Sequence, residues 1–143
     1  MQTDGHSVTL HANCVALEGR GLLILGPSGS GKSALSLSLM ALGARLVADD
    51  RTILTPDGDR LIATCPPALR GLIEARGVGI LHAEAVDRTA LVLAVDLGQT
   101  EAERLPPLRS VTLAGRTITL VHSVPSAHFP AMLLQYIRAG RHA

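Results

Sequence analysis

"GLLILGPSGSGKSALSL", spanning Gly21–Leu37, decides the reading of this chain. An apolar run, Leu22–Leu25, enters a loop of glycines, a lysine and small hydroxyl residues, and a second apolar run leaves it. Gly26, Gly31, Lys32 and Ser33 satisfy G-x-x-x-x-G-K-[ST]. Glycines let backbone N–H groups curl around phosphate oxygens, and the following helix aims its positive end at the same point. The whole loop, Gly26, Pro27, Ser28, Gly29, Ser30, Gly31, Lys32 and Ser33, is therefore the expected cradle for a nucleotide's phosphates. Lys32 would reach the β- and γ-phosphates and Ser33 would ligand Mg²⁺. Four fixed positions arise by accident in well under about 1% of chains this long.

Working outward, Val8–Leu17 is apolar and β-tolerant, Glu18–Gly21 reads as a turn and Leu22–Leu25 as a buried strand, together a hairpin. After the loop, Leu35, Leu39 and Leu42 share one helical face over Ala34–Leu42, and Gly43 stops that helix. Ala44–Asp50 is a short strand ending in two acids. "TILTPDGDRLIATC" is a second hairpin turning at Asp57-Gly58. Gly71–Leu81 reads as a glycine-containing loop leading into a strand, Thr89–Gly98 as a buried strand, and "SVTLAGRTITLV" as a third hairpin around Ala114–Arg116. Ser126 is placed to cap a last helix through Ala139. The order predicts one α/β domain over residues 1–143: a P-loop nucleotide-binding fold with a mixed sheet and several β-hairpins.

Composition bounds the function classes. The chain has 143 residues, 47% of them apolar, enough for a core and too many for disorder. A formal charge of +1 gives no strong pull toward nucleic acid or an anionic membrane. Phe129 and Tyr136 are the aromatics, so base-stacking platforms are missing. Cys14 and Cys65 lack metal-pair spacing and read as buried thiols in a reducing cytoplasm. No apolar stretch is long enough to span a membrane, and Met1–Ser7 does not read as a signal peptide.

Two sets of acids follow apolar strands: Asp49-Asp50 after "RLVA", and Asp96 after "LVLAV". Asp96 has the look of a metal-organising aspartate. The strand ending at Asp49-Asp50 should put them beside the loop, where one metal role and one proton-transfer role suit them. The plain alternative is a pair of solvated turn residues. Glu74 reads equally as a surface carboxylate, His11 as a strand histidine and Arg104 as an ordinary loop arginine.

In order and spacing, these blocks resemble the catalytic domain of HPr kinase/phosphorylase, the bacterial enzyme acting on a serine of the phosphocarrier protein HPr. His11 stands 21 residues before Lys32, "GPSGSGKS" looks like the family's P-loop, and "RLVADD" places Asp50 17 residues after Ser33. "LIEARGVGI" is similar to its third signature, and "ERLP" weakly resembles the segment with its catalytic arginine. The match covers about residues 8 to 126. The resemblance implies ATP and Mg²⁺ as cofactors, HPr as protein substrate, no nucleic-acid or membrane partner, and a cytoplasmic location, with a homo-oligomer left open. It implies Asp50 as general base, Ser33 and Glu74 at Mg²⁺, Lys32 and Arg104 on the transferred group, and His11 beside the reacting atoms. Asp49 stays close to the metal without an assigned bond.

Long members of that family carry an N-terminal domain; this sequence starts at the catalytic domain and resembles the short proteobacterial form. Its counterpart of the basic, glycine-containing phosphorylase segment is "VHSVPSAHFP", Val121–Pro130, with His122 and His128 but no arginine. The kinase direction is therefore expected to outrun dephosphorylation. Two other readings are a small-metabolite P-loop kinase, disfavoured by the scattered Arg104, Arg109 and Arg116, and a nucleotide-sensing module with little chemistry, disfavoured by Asp50.

Overall fold

A computed structural model describes residues 6–143. The expectation for Met1–Ser7 falls mostly outside them. The first described strands are β1 (Val8–Leu10), β2 (Asn13–Leu17) and β3 (Arg20–Leu25), followed by helix α1 (Lys32–Ala41) and β4 (Arg45–Ala48). Next come β5 (Thr52–Asp57), β6 (Arg60–Thr64), a 3-10 turn at Pro67–Leu69, β7 (Leu72–Ala75) and β8 (Gly79–His82). The chain ends in β9 (Arg88–Thr100), β10 (Arg109–Leu113), β11 (Arg116–Ser123) and α2 (Phe129–Ala139). The main sheet runs β1-β5-β6-β9-β3-β2-β4, with β11 on β9 and β10 on β11. β3 and β11 lie parallel to β9 and the remaining pairs are antiparallel, so the mixed α/β sheet agrees with expectation.

β9 is the hub because its apolar run is buried on both faces. Leu93, Ala94 and Val95 are fully covered. Opposite β3, Gly21 pairs with Leu91 and Leu22 with Leu93, so Val92 is an extra residue. This bulge flips the period-2 alternation. Leu91 joins Cys14, Ala16, Leu23 and Ala94 on one face, while Leu93 joins Val15, Leu22, Ile24 and Val95 on the other. Val92, 41% exposed, is the residue left over. Gly21 sits where the strands close up: a Cβ there would lie 2.5 Å from Thr89 Cγ2 and 3.0 Å from the Ala90 carbonyl.

Both helices cover the second face, α1 through Leu35 and Leu39, α2 through Phe129, Leu133, Leu134 and Ile137. α1 ends in a Schellman turn: Gly43 (φ 112) donates to the Met40 carbonyl and Ala44 to that of Leu39. Arg20 caps α2, donating to the carbonyls of Ile137 and Arg138 at 2.9 Å each. The other face is closed by Val111, Leu113, Ile118 and Leu120 of the β10–β11 hairpin.

Several sequence expectations shift. Val8–Leu17 is two strands broken at His11, because Val8–Leu10 pairs with β5 while Asn13–Leu17 pairs with β3. His11 thus lies on a bend rather than on a strand. α1 begins at Lys32, two residues earlier than expected, since Gly31 already accepts from the Leu35 N–H. The second hairpin turns at Gly58-Asp59, as Asp57 pairs with Arg60. Gly71–Leu81 contains a complete hairpin, β7 on β8, turned by Arg76–Val78. Ser126 caps the turn before α2, its Oγ accepting from the His128 N–H, while His128 itself is the N-cap. Cys14 is buried, and burial pushes its thiol far above the usual range. Cys65 is only half-buried, and burial also raises its thiol, with Arg70 opposing and Asp49 adding.

The segment between β9 and β10, which carries Arg104, closes on a carboxylate. Glu101 accepts from Arg109 Nε at 3.2 Å and Nη2 at 3.1 Å, and from the N–H groups of Ala102 and Glu103. The Arg109 hydrogen bond holds the Glu101 carboxyl below its ordinary 4.5. A carboxylate lowered in this way stabilises the fold above the ordinary value and stops doing so as pH falls through the lowered one. Thermal melts of wild type and Glu101→Gln should therefore differ fully at pH 7 and converge below the ordinary 4.5. A gap that persists unchanged in acid contradicts the ion-pair account.

Candidate functional site

The loop leaves the carboxyl end of β3, where Leu25 pairs with Asp96 of β9. Gly26 (φ 150), Gly29 (φ 81) and Gly31 (φ 97) take conformations that side-chain-bearing residues avoid. At Gly26 a Cβ would stand 2.5 Å from Ser30 Oγ and 3.2 Å from Leu97 Cβ. Ser30 Oγ is buried with no hydrogen-bond partner among the described residues. Lys32, 7% exposed, folds its ammonium back onto the loop, donating to the Gly26 carbonyl at 2.8 Å and that of Pro27 at 3.1 Å. Among the described residues, a buried hydroxyl without a partner and an ammonium on two neutral carbonyls suit a loop that can take an anion.

Asp49, just past β4, joins the other parts. Its Oδ1 accepts from Ser33 Oγ at 2.7 Å and from Asn13 Nδ2 at 2.6 Å. Its Oδ2 accepts from the Glu74 N–H at 2.9 Å. One carboxylate thus binds the first turn of α1, strand β2 and hairpin strand β7. Asp50 follows with φ 66, a left-handed backbone costing about 1 kcal/mol or more in a residue with a Cβ. The N–H of Asp50 donates to Asn13 Oδ1 at 2.8 Å, and its side chain reaches His11, Oδ1 to Nδ1 3.3 Å, at the exposed rim.

Ser33, Asp49, Asp50, His11 and the backbone of Glu74 are therefore brought together. Glu74 presents its N–H inward while the residue is exposed. Arg104 is exposed and makes no hydrogen bond or ion pair among the described residues. Of the two acid sets, Asp49 is the one touching Ser33; Asp96 turns onto its own backbone, accepting from the Gly98 N–H at 2.8 Å. Sequence reasoning missed Asn13. Its signal was an amide in "NCVAL", a strand in which all five residues are buried.

Among the described residues no three His, Cys, Asp or Glu side chains converge as a metal cage. Mg²⁺ does not need one: it is commonly held by one or two carboxylates, waters and substrate phosphate oxygens. Ser33 Oγ and the Asp49 carboxylate, 2.7 Å apart beside the loop, are one hydroxyl and one carboxylate of that chemistry.

The architecture is that of a mixed-sheet α/β protein. Residues 4–103 match the family model described as HPr Serine kinase C-terminal domain, and the chain belongs to that family. It is 44% identical over 80 residues to an HPr kinase/phosphorylase of Caldanaerobacter subterraneus subsp. tengcongensis, which covers 55% of this chain and 26% of that protein. With an HPr kinase/phosphorylase of Xanthomonas campestris pv. campestris it shares 47% over 76 residues, 52% of this chain and 24% of that one. The matches thus span about a quarter of those relatives' length. Among solved structures, an Hpr(Ser) kinase/phosphatase from Coxiella burnetii superposes with a TM-score of 0.77 at 27% identity, covering 92% of this chain and 94% of that one. Among the described residues no helix is long and apolar enough to cross a membrane.

Gly26→Ala should disorganise the loop, since the added Cβ meets Ser30 and Leu97 and φ 150 is strained for alanine. Nucleotide affinity by calorimetry is expected to fall by about tenfold or more, from a misplacement of about an ångström. Unchanged affinity means the loop does not hold the phosphates.

Proposed function

We propose that this chain is a Mg²⁺- and ATP-dependent kinase that phosphorylates a serine of HPr in the cytoplasm, with dephosphorylation the weaker direction. The observation that carries the reading is the meeting of Ser33 and Asp49 at 2.7 Å beside the glycine loop, with Asp50 and His11 at the same strand end. Membership of the family supports the choice of protein substrate.

The loop N–H groups and the N-terminus of α1 would hold the triphosphate. Lys32 would exchange its two carbonyl partners for phosphate oxygens, a charge-assisted bond in place of neutral ones. Mg²⁺, which Ser33 and Glu74 would hold with Asp49 adjacent, would supply neutralisation of the negative charge on the transferred group. Asp50 would accept the proton of the serine hydroxyl as its oxygen bonds to the γ-phosphorus and the bridging bond to ADP breaks. His11 would orient Asp50 at the open rim. Arg104 would come in from its exposed loop toward the equatorial oxygens. Such a transfer depends on placement and electrostatics rather than on covalent participation of the protein.

Lys32→Ala should abolish transfer from γ-labelled ATP to HPr while the melting temperature stays near that of wild type. Turnover at the wild-type rate sinks the assignment of the loop, and a collapse in melting temperature makes Lys32 structural.

The reverse direction needs free phosphate held as the attacking group. Val121–Pro130 offers His122, opposite Asp96 in register, and His128, at the cap of α2. With phosphoserine-HPr, Mg²⁺ and millimolar phosphate, pyrophosphate release should run well below the forward rate. Comparable rates mean that arginines elsewhere supply the charge.

A further inference from the structure

We infer that Asn13 is a positioning residue that gives the adjacent Asp49 and Asp50 different tasks. Asn13 is fully buried on β2, a place where an amide is costly unless its groups are bonded. Both Nδ2 hydrogens are used, on Ser36 Oγ at 3.0 Å and Asp49 Oδ1 at 2.6 Å, and Oδ1 accepts from the Asp50 N–H at 2.8 Å. The orientation of the amide is fixed by these partners, since exchanging oxygen and nitrogen would set an acceptor against the Asp49 carboxylate and a donor against the Asp50 N–H.

The consequences differ for the two acids. Asp49, taking hydrogen bonds from Asn13, Ser33 and Glu74, is held inward toward the loop helix. The helix side is held as well: Ser36 Oγ, which accepts from Asn13, donates to the Lys32 carbonyl at 2.9 Å. Asp50 has its N–H anchored by the same amide while its backbone takes φ 66. Its side chain lies at the rim with His11, 59% exposed and open to an incoming hydroxyl. One buried amide thus registers the turn of α1 that carries Lys32 and Ser33 against the acid placed to take the substrate proton. An apolar side chain at position 13 would leave the Asp50 N–H and one Asp49 acceptor site without the partners they have in Asn13.

On the phosphotransfer reading proposed above, on which this role depends, Asn13→Leu should lower kcat by about tenfold or more, the scale seen when outer-shell partners are removed. The KM for HPr should stay within about twofold, because Asn13 is fully buried and meets no incoming protein. Hydrogen exchange by NMR supplies a readout independent of activity: the Asp50 amide should be protected in wild type and lose that protection in Asn13→Leu. An unchanged kcat, or equal protection in both proteins, overturns the role, as does a fall in kcat matched by KM and melting temperature. Should Asn13→Leu not fold, the wild-type amide decides, and free exchange at Asp50 overturns the contact. A protected Asp50 amide in a wild-type protein that transfers no phosphate removes the phosphotransfer reading, and with it the role, while leaving the contact in place.

Discussion

The Asp49 carboxylate is the constraint on which the site rests. It stands at the end of β4, an edge strand paired along β2, and accepts from three segments distant in sequence. Through Ser33 it reaches the loop helix, through Asn13 the central strands, and through the Glu74 N–H the β7–β8 hairpin. That hairpin stands outside the main sheet. Asp49 gives it a polar anchor beside the loop, while Ile73 gives it an apolar one in the core beneath α1. Without the carboxylate the loop, the hairpin and the rim acids would have no common reference.

The sheet makes this junction possible. β3 and β9 run parallel, and the last pair of β3, Leu25 with Asp96, puts the loop beside that aspartate. β2 runs antiparallel to both β3 and β4 and brings its first residue, Asn13, to that same end. The bulge at Val92 lets β9 bury leucines on both faces while keeping that alignment. At the far end Arg20 holds the last turn of α2, so both helices lie fixed against the strands that carry the site.

The loop was legible in sequence because its chemistry is local: the spacing from Gly26 to Ser33 already implies strand, cradle and helix. The hairpins at 18–19 and 114–115 were legible for the same reason, with the turn residues at positive φ. What was not legible depends on partners far along the chain. The break at His11 exists because β1 chooses β5 over the continuation of β2, and nothing in "TLHANC" announces that choice. Glycines 77 and 79 suggested a loop where they in fact shape a hairpin turn and its first strand residue. Asn13 was invisible because its role is set by the left-handed turn at Asp50, 37 residues away. Asp49-Asp50 and Asp96 both follow apolar strands, and only the place of the first pair, on the strand after the loop helix, favoured it; in space the Ser33 hydroxyl meets Asp49.

In the proposed function this junction moves a phosphoryl group onto a protein serine. The most direct measurement incubates the chain with Mg²⁺, ATP and HPr and maps the modified residue by mass spectrometry. The expected product is one phosphate on one serine of HPr, formed at a catalytic rate and lost when Mg²⁺ is chelated. ATP bound by the chain with HPr left unmodified, or phosphate appearing only in water or on a small acceptor, would contradict it.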